Sequence, residues 1–180
     1  MTALNRASFL SLLLVASAVH SEDLSVCMRG WDATQSGDHV RAIELFNSCI
    51  KDGNLSNASL ARTYRNIGIA YRRAKEPMKA IEAHNKAIAL HPADVWDDYI
   101  NRGNAYDEAN DLSHALADYD QALKLKPNYG EAFYNRGIAF EHNKMFEKAK
   151  ADFSRAYEVG LRTELLYERL VVYGLVEKKQ

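Results

Sequence analysis

Four glycines divide the chain into near-equal parts. Gly68, Gly103 and Gly137 stand 35 and 34 residues apart, and Gly30 lies 38 before Gly68. Each sits in the same frame. Four residues before the glycine come Val26, Tyr64, Tyr99 and Phe133; three after it come Ala33, Tyr71, Tyr106 and Phe140. Twelve after it stands alanine every time: Ala42, Ala80, Ala115 and Ala149. Sixteen after it come Phe46, His84, Tyr119 and Phe153, and nineteen after it Cys49, Ala87, Ala122 and Ala156. A chain with such a period folds as a stack of one recurring unit. A single copy cannot bury its apolar face, and its neighbours bury it instead.

The spacing inside one period specifies that unit. Positions −4, 0 and +3 lie on one face of a helix with 3.6 residues per turn, and +12, +16 and +19 lie on one face of a second. Small residues mark where the two helices approach most closely, and rings fill the wider gaps. Turn signals separate them: "SGD" at 36–38, "KEP" at 75–77 and "NDLS" at 110–113. Pro77 suits a first helical turn, where no backbone donor is needed. Asp38 and Asp111 suit N-caps. Pro92 and Pro127 end the second helix of the middle copies.

These residues resemble the tetratricopeptide repeat, a pair of antiparallel helices of about 34 residues with aromatic, Gly, Ala and Pro at set places. The resemblance covers about residues 23–162 and is weakest in the first copy, where Val26 and Ala33 replace rings. It implies an all-α fold, an α-solenoid of antiparallel helix pairs. The expected repeats are about 23–56, 61–94, 96–129 and 130–163, with a capping helix at about 164–177, all inside a domain spanning 22–180.

The N-terminal residues depart from this pattern. "MTALNR" carries one Arg and no acid, "ASFLSLLLVASAV" is an apolar run, and small residues at 16–21 offer cleavage sites before Glu22. This layout predicts a signal peptide over residues 1–21, and hence a periplasmic or secreted protein. The run is shorter than the roughly 20 residues that a membrane-spanning helix takes, so no stable membrane span is expected. An export route makes the two cysteines, Cys27 and Cys49, disulfide-permissive. Both fall in the first copy at similar distances from its turn, which predicts a disulfide between them, the alternative being two packed thiols.

The resemblance also implies a binding face, the concave groove lined by the first helix of each repeat. The expected peptide-binding residues are Arg62, Arg65, Asn66 and Arg72 from repeat two, Asn101, Asn104 and Asp107 from repeat three, and Asn135 from repeat four. Asn66, Asn101 and Asn135 recur two residues before each glycine. An amide both donates and accepts, so such a row can pair with any extended backbone or with its own helix. The stripe is basic in repeat two and acidic in repeats three and four. That contrast either orients a charged ligand or is consumed by internal pairs, such as Arg73 with Glu108. The carboxylate clamp of some tetratricopeptide proteins needs basic residues near the start of the fourth repeat, where Glu131 stands, so specificity for a C-terminal carboxylate is not implied.

Chemistry finds little footing in the sequence. The histidines are scattered without metal-ligand spacing, and His84 takes a ring's place in the core pattern. There is no phosphate-binding glycine loop and no activated nucleophile. No metal, cofactor or catalytic residue is therefore expected. A formal charge of −1 over 180 residues gives no basic footprint for nucleic acid. The reading that remains is a scaffold for a protein or peptide partner. Its rival is an assembly subunit or homo-oligomer using the apolar edge of repeat one around Trp31.

Overall fold

The computed structural model describes residues 26–53, 55–90 and 95–177. The expected signal segment 1–21, Pro92 and the last three residues lie outside the described residues. Helices follow one another in antiparallel pairs: α1 (26–35) with α2 (His39–Asp52), α3 (Asn57–Arg73) with α4 (Pro77–Leu90), α5 (Trp96–Glu108) with α6 (Leu112–Leu125), and α7 (Gly130–His142) with α8 (Phe146–Glu158). A last helix, α9 (Glu164–Val172), closes the stack. Among the described residues there is no strand. The α-solenoid expected from the period is the observed architecture.

The contact that sets each pair is the one between the glycine and the ring sixteen residues on. A β-carbon added to Gly30, Gly103 or Gly137 would fall 2.7–2.9 Å from a carbon of Phe46, Tyr119 or Phe153, and on Gly68 it would fall 2.5 Å from Nε2 of His84. Only glycine permits this approach. The alanines at +12 are wholly buried, and so are the rings at +16 and the residues at +19. In the first pair this facing brings the Cα atoms of Cys27 and Cys49 to 5.4 Å, within the range a disulfide spans.

The turns inside the four pairs repeat as closely as the cores. The residue seven after each glycine is left-handed: Gly37, Lys75, Asn110 and Lys144, with φ of 83°, 62°, 62° and 59°. The next amide then bonds back to the carbonyl five residues earlier, as in Asp38 to Ala33 and Met145 to Phe140. This is the hydrogen bond that closes a helix terminus around a left-handed residue. Asp38 and Asp111 accept from Arg41 N and His114 N as N-caps, and Pro77 opens α4.

Two boundaries differ from expectation for local reasons. α3 starts at Asn57, four residues before residue 61, because the Ser56 hydroxyl accepts from Ser59 N and caps it there. α9 stops at Val172 rather than continuing to about 177: Gly174 is left-handed with φ 65°, and Leu175 N returns to Leu170 O. The segment beyond still contributes, since Tyr173, Leu175 and Val176 pack with buried Leu166 and Leu170 against Phe153.

The curvature follows from which helices touch. α3 meets α5 and α5 meets α7 directly, in addition to each helix's contact with its own partner. First helices therefore crowd the inner side and second helices lie outside. Ala115→Leu and Ala80→Leu force a larger side chain into sites that are 0% exposed. Each should lose about 1–3 kcal/mol, read as a lowered melting temperature; unchanged melting in both would contradict this helix register.

Candidate functional site

The inner face is built by the first helices, so its properties follow from what their side chains already hold. The charge contrast seen in the sequence is largely consumed between repeats. Arg65 donates from Nε and Nη2 to Asp98 at 3.0 and 2.6 Å and lies 3.6 Å from Asp97. Arg72 pairs with Glu108 at 2.7 Å, where the sequence suggested Arg73; that residue instead donates to the Thr34 carbonyl at 3.3 Å. Asp107 is met by His142 at 2.8 Å, and Glu141 by Arg169 at 3.3 Å and by the Tyr173 hydroxyl at 2.9 Å. The Tyr173 phenol, pushed up to about 12 by burial and that carboxylate, stays a donor.

The asparagines divide in the same way. Asn101 donates to the Asp97 carbonyl at 2.9 Å, one turn back on its own helix. Asn104 accepts from the Tyr119 hydroxyl at 2.7 Å, a phenol whose titration burial pushes far upward. Asn66 and Asn135 are half-buried, and among the described residues their side chains make no hydrogen bond.

At the N-terminal end the face deepens into a pocket of about 560 Å³, between α1, α3 and the start of α5. Met28, Trp31, Leu55 and Ile69 supply apolar wall; Arg62, Asn66 and Asp32 supply polar edges. Met28 is 68% and Trp31 47% exposed, high for such large apolar side chains. Of the residues expected to bind peptide, the structure thus gathers Arg62, Arg65 and Asn66 at one pocket. Arg72, Asn101, Asn104, Asp107 and Asn135 lie farther along the face, outside that pocket.

Beneath the pocket lies a buried polar group that the repeat pattern only half signals. His84, 0% exposed, takes the position that Phe46, Tyr119 and Phe153 hold in the other pairs. Its Nδ1 is 3.2 Å from Oδ1 of Asp98, itself 1% exposed, and its Nε2 has no partner among the described residues. Burial alone would raise the Asp98 carboxyl, but hydrogen bonds from His84 and Arg65 and the guanidinium charge outweigh it and hold it below its usual range. The same burial raises neighbouring Asp97. Asp98 therefore locks α5 to both α3 and α4 and turns Arg65 away from solvent. Two further buried carboxylates, Asp118 and Asp152, receive paired bonds of 2.7–2.8 Å from Arg102 and Arg136 across their own helix pairs. Repeat two has Ile67 and Ala83 in the corresponding places. These groups are structural; the recurrence of Arg one before, and Asp fifteen after, the glycine was the available signal.

Comparison with known proteins agrees with this geometry. A family model described as "TPR repeat" matches residues 103–144, from the glycine of the third pair to the left-handed turn of the fourth. Residues 103–144 are thus matched as tetratricopeptide repeat, and the other helix pairs share their spacing. It is 30% identical over 120 residues to human protein O-mannosyl-transferase TMTC1, covering 64% of this chain and 14% of that one. It is 32% identical over 98 residues to the small glutamine-rich tetratricopeptide repeat-containing protein 2 of Mycosarcoma maydis, covering 54% and 27%. The chain thus spans only a minor part of either relative's length. Among solved structures, YrrB, described as a TPR protein with an unusual peptide-binding site, superposes with a TM-score of 0.67 at 16% identity, over 93% of this chain and 91% of that one.

Asp98→Asn tests the buried lock. Breaking a buried ion pair costs about 3–5 kcal/mol, and less where one partner keeps solvent access as Arg65 does. A depressed carboxyl contributes stability that is full above its unfolded value, about 3.9, and is lost as pH falls through the lower folded value. Chemical denaturation should therefore show wild type well above the variant at pH 7 and the two converging below about pH 4. A constant gap down to pH 2 would contradict the ionised lock.

Proposed function

We propose that this chain is an exported protein-interaction scaffold that holds an extended segment of a partner protein along its concave face. The observation that carries the reading is the division of labour on that face. Arg65, Arg72 and Asp107 are engaged in holding neighbouring repeats together and Asn104 in holding its own helix pair, whereas Asn66, at the first pocket, and Asn135, farther along the face, carry amides without a hydrogen bond among the described residues. An amide can serve one backbone N–H and one carbonyl at once, which suits a segment of any sequence. That YrrB is a tetratricopeptide protein with a peptide-binding site supports a similar use of the fold. The reading assigns the chain a protein or peptide partner and no reaction, cofactor or nucleic acid. The partner is to be found by pull-down from envelope extract and mass spectrometry. The double variant Asn66→Ala/Asn135→Ala should then weaken its binding about tenfold, roughly the loss of one hydrogen bond's net worth at each site, while the melting temperature stays within about 2 °C. Collapse of melting would make the amides part of the scaffold.

Export rests on the signal-like residues 1–21 and places the protein in the periplasm or outside the cell. There the facing Cys27 and Cys49 would be bridged. Closing the loop between them contributes roughly 3 kcal/mol in the chain-entropy model, and repeat one is the pair that lacks rings at Val26 and Ala33. Intact-mass measurement of freshly isolated protein under alkylating, non-reducing conditions should find no alkylated cysteine; two would overturn the bridge. A second reading, self-association through repeat one, is favoured by the exposure of Met28 and Trp31 on α1 and of Val40 on α2. A dimer mass in solution that Trp31→Ala returns to monomer would establish it.

A further inference from the structure

The inner-face cations of repeat two differ in one respect that bears on what the groove selects. Arg65, Arg72 and Arg73 are each held by a carboxylate or a carbonyl of a neighbouring helix. Arg62, exposed at the mouth of the first pocket, has no ion pair or hydrogen bond among the described residues. Its position along the groove is fixed by its neighbour: Thr63 Oγ1 lies 4.0 Å from Cys27 Sγ, so Arg62 stands level with the first described turn of α1. Asp32, the other exposed charge in the pocket, is five residues farther along α1, about 7–8 Å at 1.5 Å per residue. Asp97 is directed to Arg65. Met28 and Trp31 of α1 supply apolar wall between the levels of Arg62 and Asp32, and Ile69 of α3 adds to it beyond Asp32.

The geometry points to a specificity subsite, resting on the groove reading above: the pocket takes one aromatic or leucine side chain of the partner segment, and Arg62 pairs with an aspartate or glutamate side chain flanking it. Its volume of about 560 Å³ suits one such side chain with the adjoining backbone, inside the range of about 300–1,000 Å³ typical of pockets that enclose a small ligand. The apolar anchor supplies affinity, and the exposed Arg62 guanidinium supplies the choice between an acidic and a basic neighbour, because charge complementarity acts chiefly on specificity and encounter. Asp32 disfavours a second acid on the far side of the anchor, so the selected sequence is acidic on one side only. The carboxylate comes from a side chain within the segment. The alternative source, a chain terminus, is separated by using amidated peptides.

The test is selection from a random dodecapeptide display library on the full chain. Enriched sequences should pair an aromatic residue or leucine with Asp or Glu within two positions. A synthetic enriched peptide, acetylated and amidated, should lose at least about tenfold in affinity by fluorescence anisotropy on Arg62→Glu and on Trp31→Ala, and Arg62→Glu should regain affinity when the peptide's acid is changed to Lys. Enrichment without acids, binding only with a free C-terminus, or an Arg62→Glu affinity within twofold of wild type would overturn the subsite. In any of these cases, sensitivity of the same peptides to Asn135→Ala would leave the groove reading standing. No enrichment over heat-denatured protein would overturn both.

Discussion

The contact between a helix glycine and the ring sixteen residues later underlies the rest of this structure. Four times the chain gives up a side chain so that a second helix can lay a ring or an imidazole against the backbone of the first, at distances no β-carbon would allow. The alanines at +12 and +19, with Cys49 in the first pair, keep the two helices close on either side of that ring. Close approach fixes the pair, and the left-handed residue in each turn fixes its reversal. With the pairs alike, stacking them leaves one geometric freedom, the rotation from pair to pair. That rotation places first helices inside and second helices outside.

Charge then fills what rings leave open. In the second pair the ring is replaced by His84, and the buried imidazole recruits Asp98 from the next repeat, which in turn recruits Arg65. One substitution in the core pattern therefore reaches the groove: it takes a cation that would face a ligand and makes it a strut. Arg72 with Glu108 and His142 with Asp107 do the same farther along. The groove keeps a few uncommitted groups, namely Arg62 and Asp32 at the pocket and the amides of Asn66 and Asn135. On the proposed reading, selectivity rests on those residues and not on the total charge.

The fold was legible because its determinants are local and periodic: glycines, alanines and rings at fixed offsets, Asp38 and Asp111 where caps were needed, and Pro77 where a helix could begin. The turn residues were less so. Lys75 and Lys144 adopt a conformation usually signalled by Gly or Asn, and only their place in the period gives them away. The site was half legible. Which residues face inward follows from helix periodicity, but which of them stay free depends on partners one repeat away, such as Asp98 for Arg65, and on the twist between repeats. Asn101 and Asn104 occupy adjacent turns of one helix, yet one bonds its own backbone and the other a tyrosine of the partner helix. Nothing in the sequence separates those fates.

If the inner face is the working surface, contact with a partner must fall on first helices alone. Site-specific photocrosslinking decides this directly. A benzophenone amino acid is placed at Asn66 and Asn135 on the inner side, and at Glu82 and Ala117 on the exposed outer helices, in the full chain exposed to envelope extract. The account predicts one shared crosslinked partner from both inner positions and none from the outer pair. Crosslinks from Glu82 and Ala117 with none from Asn66 or Asn135 would contradict it and move the binding surface to the convex side.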